Sequence, residues 1–176
     1  MIPDYVPVVP DYIHPVVAWR MWFAAERSKR TRLISVVQRT IWPARKPLVA
    51  ECRRLRLPVW PFARQSHEAP GARCACGIYA TDMETVQMYL PQRVIAARGD
   101  SIPVVGRVSL WGVVHEHEHG WRASCAYPIS LFVPVVDDDD WVEKVIADLR
   151  GYGVPVTAVG ATTREGLIEE VGALAA

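Results

Sequence analysis

The chain has 176 residues, 51% of them hydrophobic and 22% charged, and a formal net charge of +1. That composition excludes disorder over most of the length and suits one packed domain with at most a small appendage. No apolar run reaches the ~18 residues of a membrane span. The first residues carry Asp4, Asp11 and the prolines Pro3, Pro7, Pro10 and Pro15 instead of a basic and then apolar leader, so a secretory signal is not expected either. Four cysteines do not make a disulfide scaffold at this size. The expectation is a cytoplasmic protein whose thiols are free or hold a metal.

The overall charge conceals two opposed halves. Met1 to Arg73 holds 13 Lys and Arg against 5 Asp and Glu, a net +8, and Cys74 to Ala176 holds 7 against 14, a net −7. The basic side is mostly arginine: Arg30 and Arg32, Arg45 and Lys46, Arg53, Arg54 and Arg56, then Arg64. Arginine suits bidentate contact with phosphate, so a face for nucleic acid or another polyanion is one reading. The other is that these side chains snorkel over apolar surface or pair with the acidic half.

In chain order, residues 1–15 repeat a Pro-Asp-Tyr pattern (Pro3-Asp4-Tyr5, Pro10-Asp11-Tyr12). This predicts an extended arm, with docking to a protein partner as an alternative role. Val16 to Phe23 reads as a strand and Leu33 to Trp42 as its hairpin partner, followed by a short strand over Pro47–Cys52. Arg53 to Arg73 has no regular pattern and is punctuated by Pro58, Pro61, Pro70 and Gly71, with Trp60 and Phe62 between them. A stretch of that length inside a domain needs something to tie it down. Cys76 to Ala80 reads as a buried strand, and Thr81-Asp82-Met83-Glu84 as a capping box opening a helix to about Leu90. Val104 to Val114 and Trp121 to Val133 read as an antiparallel pair turning near His119-Gly120. Asp137 to Asp140 lead into a helix with Trp141, Val145 and Leu149 on its apolar face, then a strand over Val154–Val159 and a last helix from Thr162 to Leu174. The two strands of this β-α-β-α tail are expected to lie parallel.

Cys52, His67, Cys74 and Cys76 bracket the irregular stretch with the spacing C-x14-H-x6-C-x-C. Three thiols and an imidazole are the donors a tetrahedral structural zinc prefers. On an extended chain Cys74 and Cys76 point to one side, and an ion there would close the loop at both ends. The alternatives are a core Cys52 with a surface His67, or a Cys74–Cys76 disulfide. Four protein ligands leave no open position, so the role would be structural.

His115, His117 and His119 share one face of a strand, which would suit a catalytic metal, a polar hairpin tip or a pH-responsive one. With the turn at His119-Gly120, Arg122 stands opposite His117 and opposes a cation. Asp137–Asp140 fit a helix start better than a magnesium site, and Gly160–Thr163 lacks the lysine and further glycines of a phosphate loop.

His67-Glu68-Ala69-Pro70, Cys74-Ala75-Cys76-Gly77-Ile78-Tyr79-Ala80, Gly106 to Val114, Gly120-Trp121-Arg122-Ala123 and Ala126-Tyr127-Pro128 resemble a family of uncharacterised bacterial and phage proteins. Its pattern is H-x-x-P, C-x-C-G-I-Y-A, G-x-V-x-L-W-G, G-[YW]-R-A and A-Y-P. With Trp42-Pro43 and Ala50-Glu51-Cys52 the resemblance spans roughly residues 16 to 160, and it implies that Cys52, His67, Cys74 and Cys76 belong together while Cys125 and the outer histidines are incidental. The order of a strand like Cys76–Ala80, a helix and a Gly-x-Val-x-Leu strand is distantly similar to PUA-like (ASCH and EVE type) modules, which implies a small RNA- or base-binding barrel; such analogy does not establish function.

The expected fold is α+β. A mixed, mostly antiparallel, partly barrel-like sheet is built from residues 16–136, with a C-terminal β-α-β-α unit, a loop stapled by zinc at 52–76, and Trp19, Trp22, Trp42, Trp111 and Trp141 in the core. Trp60 and Phe62 would be placed to stack on a base. A non-catalytic binding module is favoured over a metal-dependent enzyme using the three histidines, and over an adaptor that binds a protein through the arm.

Overall fold

The β-branched and aromatic run from Val16 onward becomes the strand that both halves of the core share. The structure, a computed structural model, describes residues 14–52, 67–94, 101–135 and 140–175; the arm through Ile13 and Asp137–Asp139 lie outside them. Strand β1 (Val16–Arg27) sends Ala18, Trp22 and Ala24 into one core cluster and Met21, with Trp19 and Phe23, into a second. It is antiparallel to β2 (Arg30–Ser35). Between them Ser28 (φ 51°) and Lys29 (φ 66°) are both left-handed, as a two-residue hairpin turn of this hand requires. β2 therefore starts earlier and ends sooner than the apolar run Leu33–Trp42 predicts. Pairing with β1 decides its limits, and after Ser35 the chain turns so that the Trp42 N–H reaches the Leu33 carbonyl at 2.9 Å.

β3 (Leu48–Val49) and β4 (Ile78–Thr81) are short, whereas β5 (Ile102–His117) and β6 (Gly120–Val135) form one long hairpin. Its turn falls at Glu118 and His119, with Gly120 at φ 146°. A Cβ on Gly120 would stand 2.2 Å from the Ala80 carbonyl oxygen, so both conformation and space demand glycine there. The turn lies one residue earlier than expected, so His115 rather than His117 stands opposite Arg122. The register changes by two, and the histidines keep the face assigned to them.

β5 also pairs with β1, and β4 pairs with β6 and meets β1 at a single residue pair, Trp19 with Thr81. The four strands thus follow one another around a ring that is only loosely joined at the β1–β4 seam and is not a true barrel. β7 (Val156–Gly160) runs parallel to β6, as expected for the tail.

Helix α1 (Met83–Val86) continues as a 3₁₀ turn over Gln87–Tyr89. Its cap is Asp82, whose carboxylate accepts the Thr85 N–H at 2.6 Å, and not Thr81, which still belongs to β4. Helices α2 (Asp140–Leu149) and α3 (Arg164–Ala175) complete the α+β fold. α2 is tied to β2 by the Asp148 carboxylate, which accepts the Thr31 N–H at 2.7 Å. Just beyond it, the Tyr152 hydroxyl accepts the Leu33 N–H at 3.0 Å and donates to the Trp42 carbonyl at 2.8 Å.

Of the five tryptophans expected inside, Trp22 and Trp42 are fully buried and pack edge to face, 5.3 Å between centroids. Trp19, Trp111 and Trp141 are only half-buried. Trp111 sits where β5 and β6 lose register, and Trp19 tilts against Phe132 at the rim of the second cluster. Among the described residues no helix is long and apolar enough to cross a membrane.

Candidate metal centre

One edge of β6 brings the two ends of the irregular stretch together. β3 and β4 both pair with β6: Val49 opposite Cys125, and Ile78 opposite Ala123. The end of β3 therefore lies two residues along β6 from the start of β4. The Ala50 N–H extends the contact to the Ser124 carbonyl at 2.7 Å. Cys52 leaves this point and Cys74 and Cys76 return to it, although 22 residues separate Cys52 from Cys74.

The ligand atoms of Cys52, His67, Cys74 and Cys76 all lie within 4.8 Å of one another, and this is the only group of three or more metal-type side chains so placed among the described residues. The Cys52 and Cys74 sulfurs are 3.8 Å apart, too far for a disulfide, whose bond is ~2.05 Å. Sulfurs ~2.3 Å from one tetrahedral ion stand roughly 3.8 Å apart, so the spacing fits a shared ion. All four cysteines are free thiols, which sets aside the Cys74–Cys76 disulfide, and Cys125 takes no part in the group.

The surroundings orient the donors. His67 Nδ1 lies 2.8 Å from the Glu68 carbonyl oxygen. A carbonyl can only accept, so Nδ1 carries the proton and Nε2 keeps its lone pair for a metal. The Gly71 N–H donates to Cys76 Sγ at 3.2 Å, and the Gly71 carbonyl accepts the Cys74 N–H at 3.0 Å. A Cβ on Gly71 would stand 2.4 Å from His67 Cε1; the imidazole occupies the space a side chain would fill. Gly77, at φ 127°, then swings the chain from this knuckle into β4.

Burial would raise the Cys74 thiol, but hydrogen bonds from the Cys76 N–H and from the Cys76 and Cys52 thiols, with His67 alongside, outweigh it and bring the thiol down from 9.0 to about 6. Burial pushes the Cys76 thiol upward; the Gly71 N–H works against the rise, and the neighbouring Cys74 and Cys52 add to it. Without an ion the sulfurs thus hold unequal shares of proton. An ion would remove those protons, since thiolates are the ligands.

Arg122 lies directly beneath. In β6 it stands opposite His115 of β5 and Tyr79 of β4, so the three share one face. It is 4% exposed, and its Nη1 donates to the backbone carbonyls of both Cys74 and Cys76, at 3.1 Å for Cys76. Its Nε donates to His117 Nε2 at 2.9 Å. No carboxylate pairs with it among the described residues.

The three histidines do not assemble into a site. His115 is buried, His119 is exposed beside Glu118, and His117 spends its lone pair on Arg122. Burial, and then the guanidinium, hold His115 and His117 below the usual imidazole range. Through Arg122 the hairpin supports the knuckle. At the start of α3, Thr163 Oγ1 accepts the Gly166 N–H at 3.3 Å and so acts as a cap.

Of the basic residues singled out, Arg30, Arg45 and Lys46 are exposed, whereas Arg32 is half-buried and bonds the Thr31 carbonyl at 3.3 Å. Arg45 also donates to the Gly151 carbonyl at 3.2 Å. Arg53, Arg54, Arg56, Trp60, Phe62 and Arg64 lie outside the described residues. Sequence reasoning missed Gly71 and the carbonyl-binding role of Arg122; the signal for Arg122 was an arginine on the same strand face as a buried histidine.

No protein-family model, no curated protein and no solved structure matches the chain.

Proposed function

We propose that the chain is a non-catalytic binding module in which Cys52, His67, Cys74 and Cys76 hold a structural zinc ion. The convergence of four soft and borderline donors within 4.8 Å, at the two ends of one long loop, carries this reading. Zinc fits best because three thiolates and an imidazole match its preference, and because four protein ligands leave no place for a substrate. Three thiolates and a divalent ion with one neutral imidazole have net charge −1, and the buried Arg122 beneath the knuckle is the counter-charge such a centre calls for. The ion supplies a cross-link and a Lewis acid's hold on its ligands; Arg122, Gly71 and the Glu68 carbonyl orient them.

The partner in this reading is nucleic acid or another polyanion, met by the arginine-rich amino-terminal half; its exposed Arg30, Arg45 and Lys46 support it.

Metal analysis of the purified protein tests the first part. One zinc per chain is expected, lost in Cys74→Ser together with cooperative unfolding; metal-free protein with unchanged stability would reject it. Titration of a labelled single-stranded oligonucleotide at several salt concentrations tests the second. Replacing Arg53, Arg54 and Arg56 with alanine should flatten the log–log salt slope by about 0.7–0.9 for each phosphate ion pair removed, and binding that is absent or independent of salt would reject it.

A further inference from the structure

A second arginine, remote in sequence from the knuckle, is half-buried without a carboxylate partner among the described residues. Arg20 sits in β1 on the face that otherwise carries Ala18, Trp22 and Ala24 into the first core cluster. Its Nη2 donates to Ser35 Oγ at 3.1 Å, and its Nη1 to the Tyr79 carbonyl. The guanidinium carbon lies 5.2 Å from the Trp42 ring centroid and 6.0 Å from that of Trp22, close enough for cation–π attraction. No carboxylate among the described residues pairs with it.

Donors outnumber acceptors throughout this cluster. Ser35 Oγ also accepts the Trp42 Nε1–H at 3.0 Å, so both lone pairs of the hydroxyl are engaged and its own proton has no acceptor among the described residues. Arg20 Nε and Trp22 Nε1 are buried with no hydrogen-bond partner. Trp22 is itself 0% exposed. Buried donors are nearly always satisfied, and an unpaired buried charge is costly. Burial, only partly offset by the nearby Tyr89, lowers the Arg20 guanidinium to about 10.

The cluster also lies where the ring is weakest. β1 and β4 share a single residue pair at this seam, and Arg20 bridges the gap to Tyr79. Arg20 as a whole is half-buried there, and Tyr79 and Tyr89 are 44% and 50% exposed.

We propose that Arg20 and Ser35 form a binding site for a small oxyanion, reached through the β1–β4 seam. The ligand supplies what the cluster lacks, negative charge and acceptor oxygens. One oxygen takes the Ser35 proton and another the remaining guanidinium hydrogens, in the paired geometry arginine offers to carboxylate and phosphate. The site stands apart from the metal reading and shares no residue with it.

The test uses the full-length protein, titrated with inorganic phosphate and separately with acetate, chloride being varied to keep ionic strength constant. The indole N–H resonances of Trp22 and Trp42, assigned by Trp→Phe variants, report occupancy. A saturable shift is expected with at least one anion. Phosphate alone would assign a phosphoryl ligand and acetate alone a carboxylate. Arg20→Met should weaken the response at least tenfold, and Ser35→Ala several-fold with folding retained. A linear, unsaturable response to both anions, or the same affinity in Arg20→Met, overturns the proposal. If Arg20→Met does not fold, unchanged affinity in Ser35→Ala overturns it instead.

Discussion

Replacing Arg122 by methionine keeps the length of the side chain and removes its charge. In the native protein that charge is 4% exposed and bonded to the carbonyls of two ligating cysteines. A guanidinium so placed stands roughly 6–7 Å from an ion held by their sulfurs, and the attraction between unit charges at that range is about 2.5 kcal/mol for an effective dielectric of ~20. At ~1.4 kcal/mol per factor of ten, zinc affinity should fall between ten- and a hundredfold. Competition with a chromophoric chelator at fixed pH and salt measures it. Arg122→Lys should recover most of that affinity, because a lysine restores charge while giving up the forked geometry. The decisive control alters the centre instead. Cys52→His makes the metal-bound set neutral, and in that background Arg122→Met should cost several-fold less than in the native one. An affinity unchanged by Arg122→Met, or an equal penalty in both backgrounds, would refute the counter-charge argument and leave Arg122 a packing residue.

Two further outcomes follow from the geometry. Gly71→Ala places a methyl 2.4 Å from His67 Cε1; the imidazole must move, and zinc affinity should drop at least tenfold while the cobalt-substituted protein loses its four-coordinate visible spectrum. Retention of both would mean that His67 is not a ligand. Tyr152→Phe strands the buried Leu33 N–H and Trp42 carbonyl and should cost about 1–3 kcal/mol in urea unfolding. Burial, above all, raises the Tyr152 phenol above 10.0. Its contribution is therefore complete below pH ~10 and is lost as the pH climbs towards the folded-state value, because the unfolded chain ionises first. The native protein should lose stability over that alkaline window and Tyr152→Phe should lose less; parallel curves would contradict the assignment.

Much of this architecture is legible in the amino-acid order, for local reasons. The β-branched and aromatic run from Val16 to Phe23, the long apolar runs on either side of Gly120 and the periodic face of Trp141, Val145 and Leu149 each encode an element through residues close in sequence. The ligand set is legible too, since Cys-x-Cys with Cys52 and His67 around a stretch without regular structure implies a fastener. What depends on pairing is not. The limits of β2 follow its ladder with β1 and not its apolar content. The hairpin turn falls one residue earlier than its glycine suggests, and the cap of α1 moves to Asp82 because β4 keeps Thr81.

The amino-acid order by itself determined which residues had the chemistry to bind an ion and which segments had to be strands or helices. Only the tertiary structure decided that β3 and β4 share one edge of β6, and so that Cys52 lies beside Cys74. It also decided that two arginines, the half-buried Arg20 and the buried Arg122, stand where no acid of the described residues meets them. The physical reason is range: hydrophobic period and capping act over a few residues, whereas a buried charge is defined by groups 46 to 59 positions away, as Arg122 to Cys76 and Arg20 to Tyr79 illustrate.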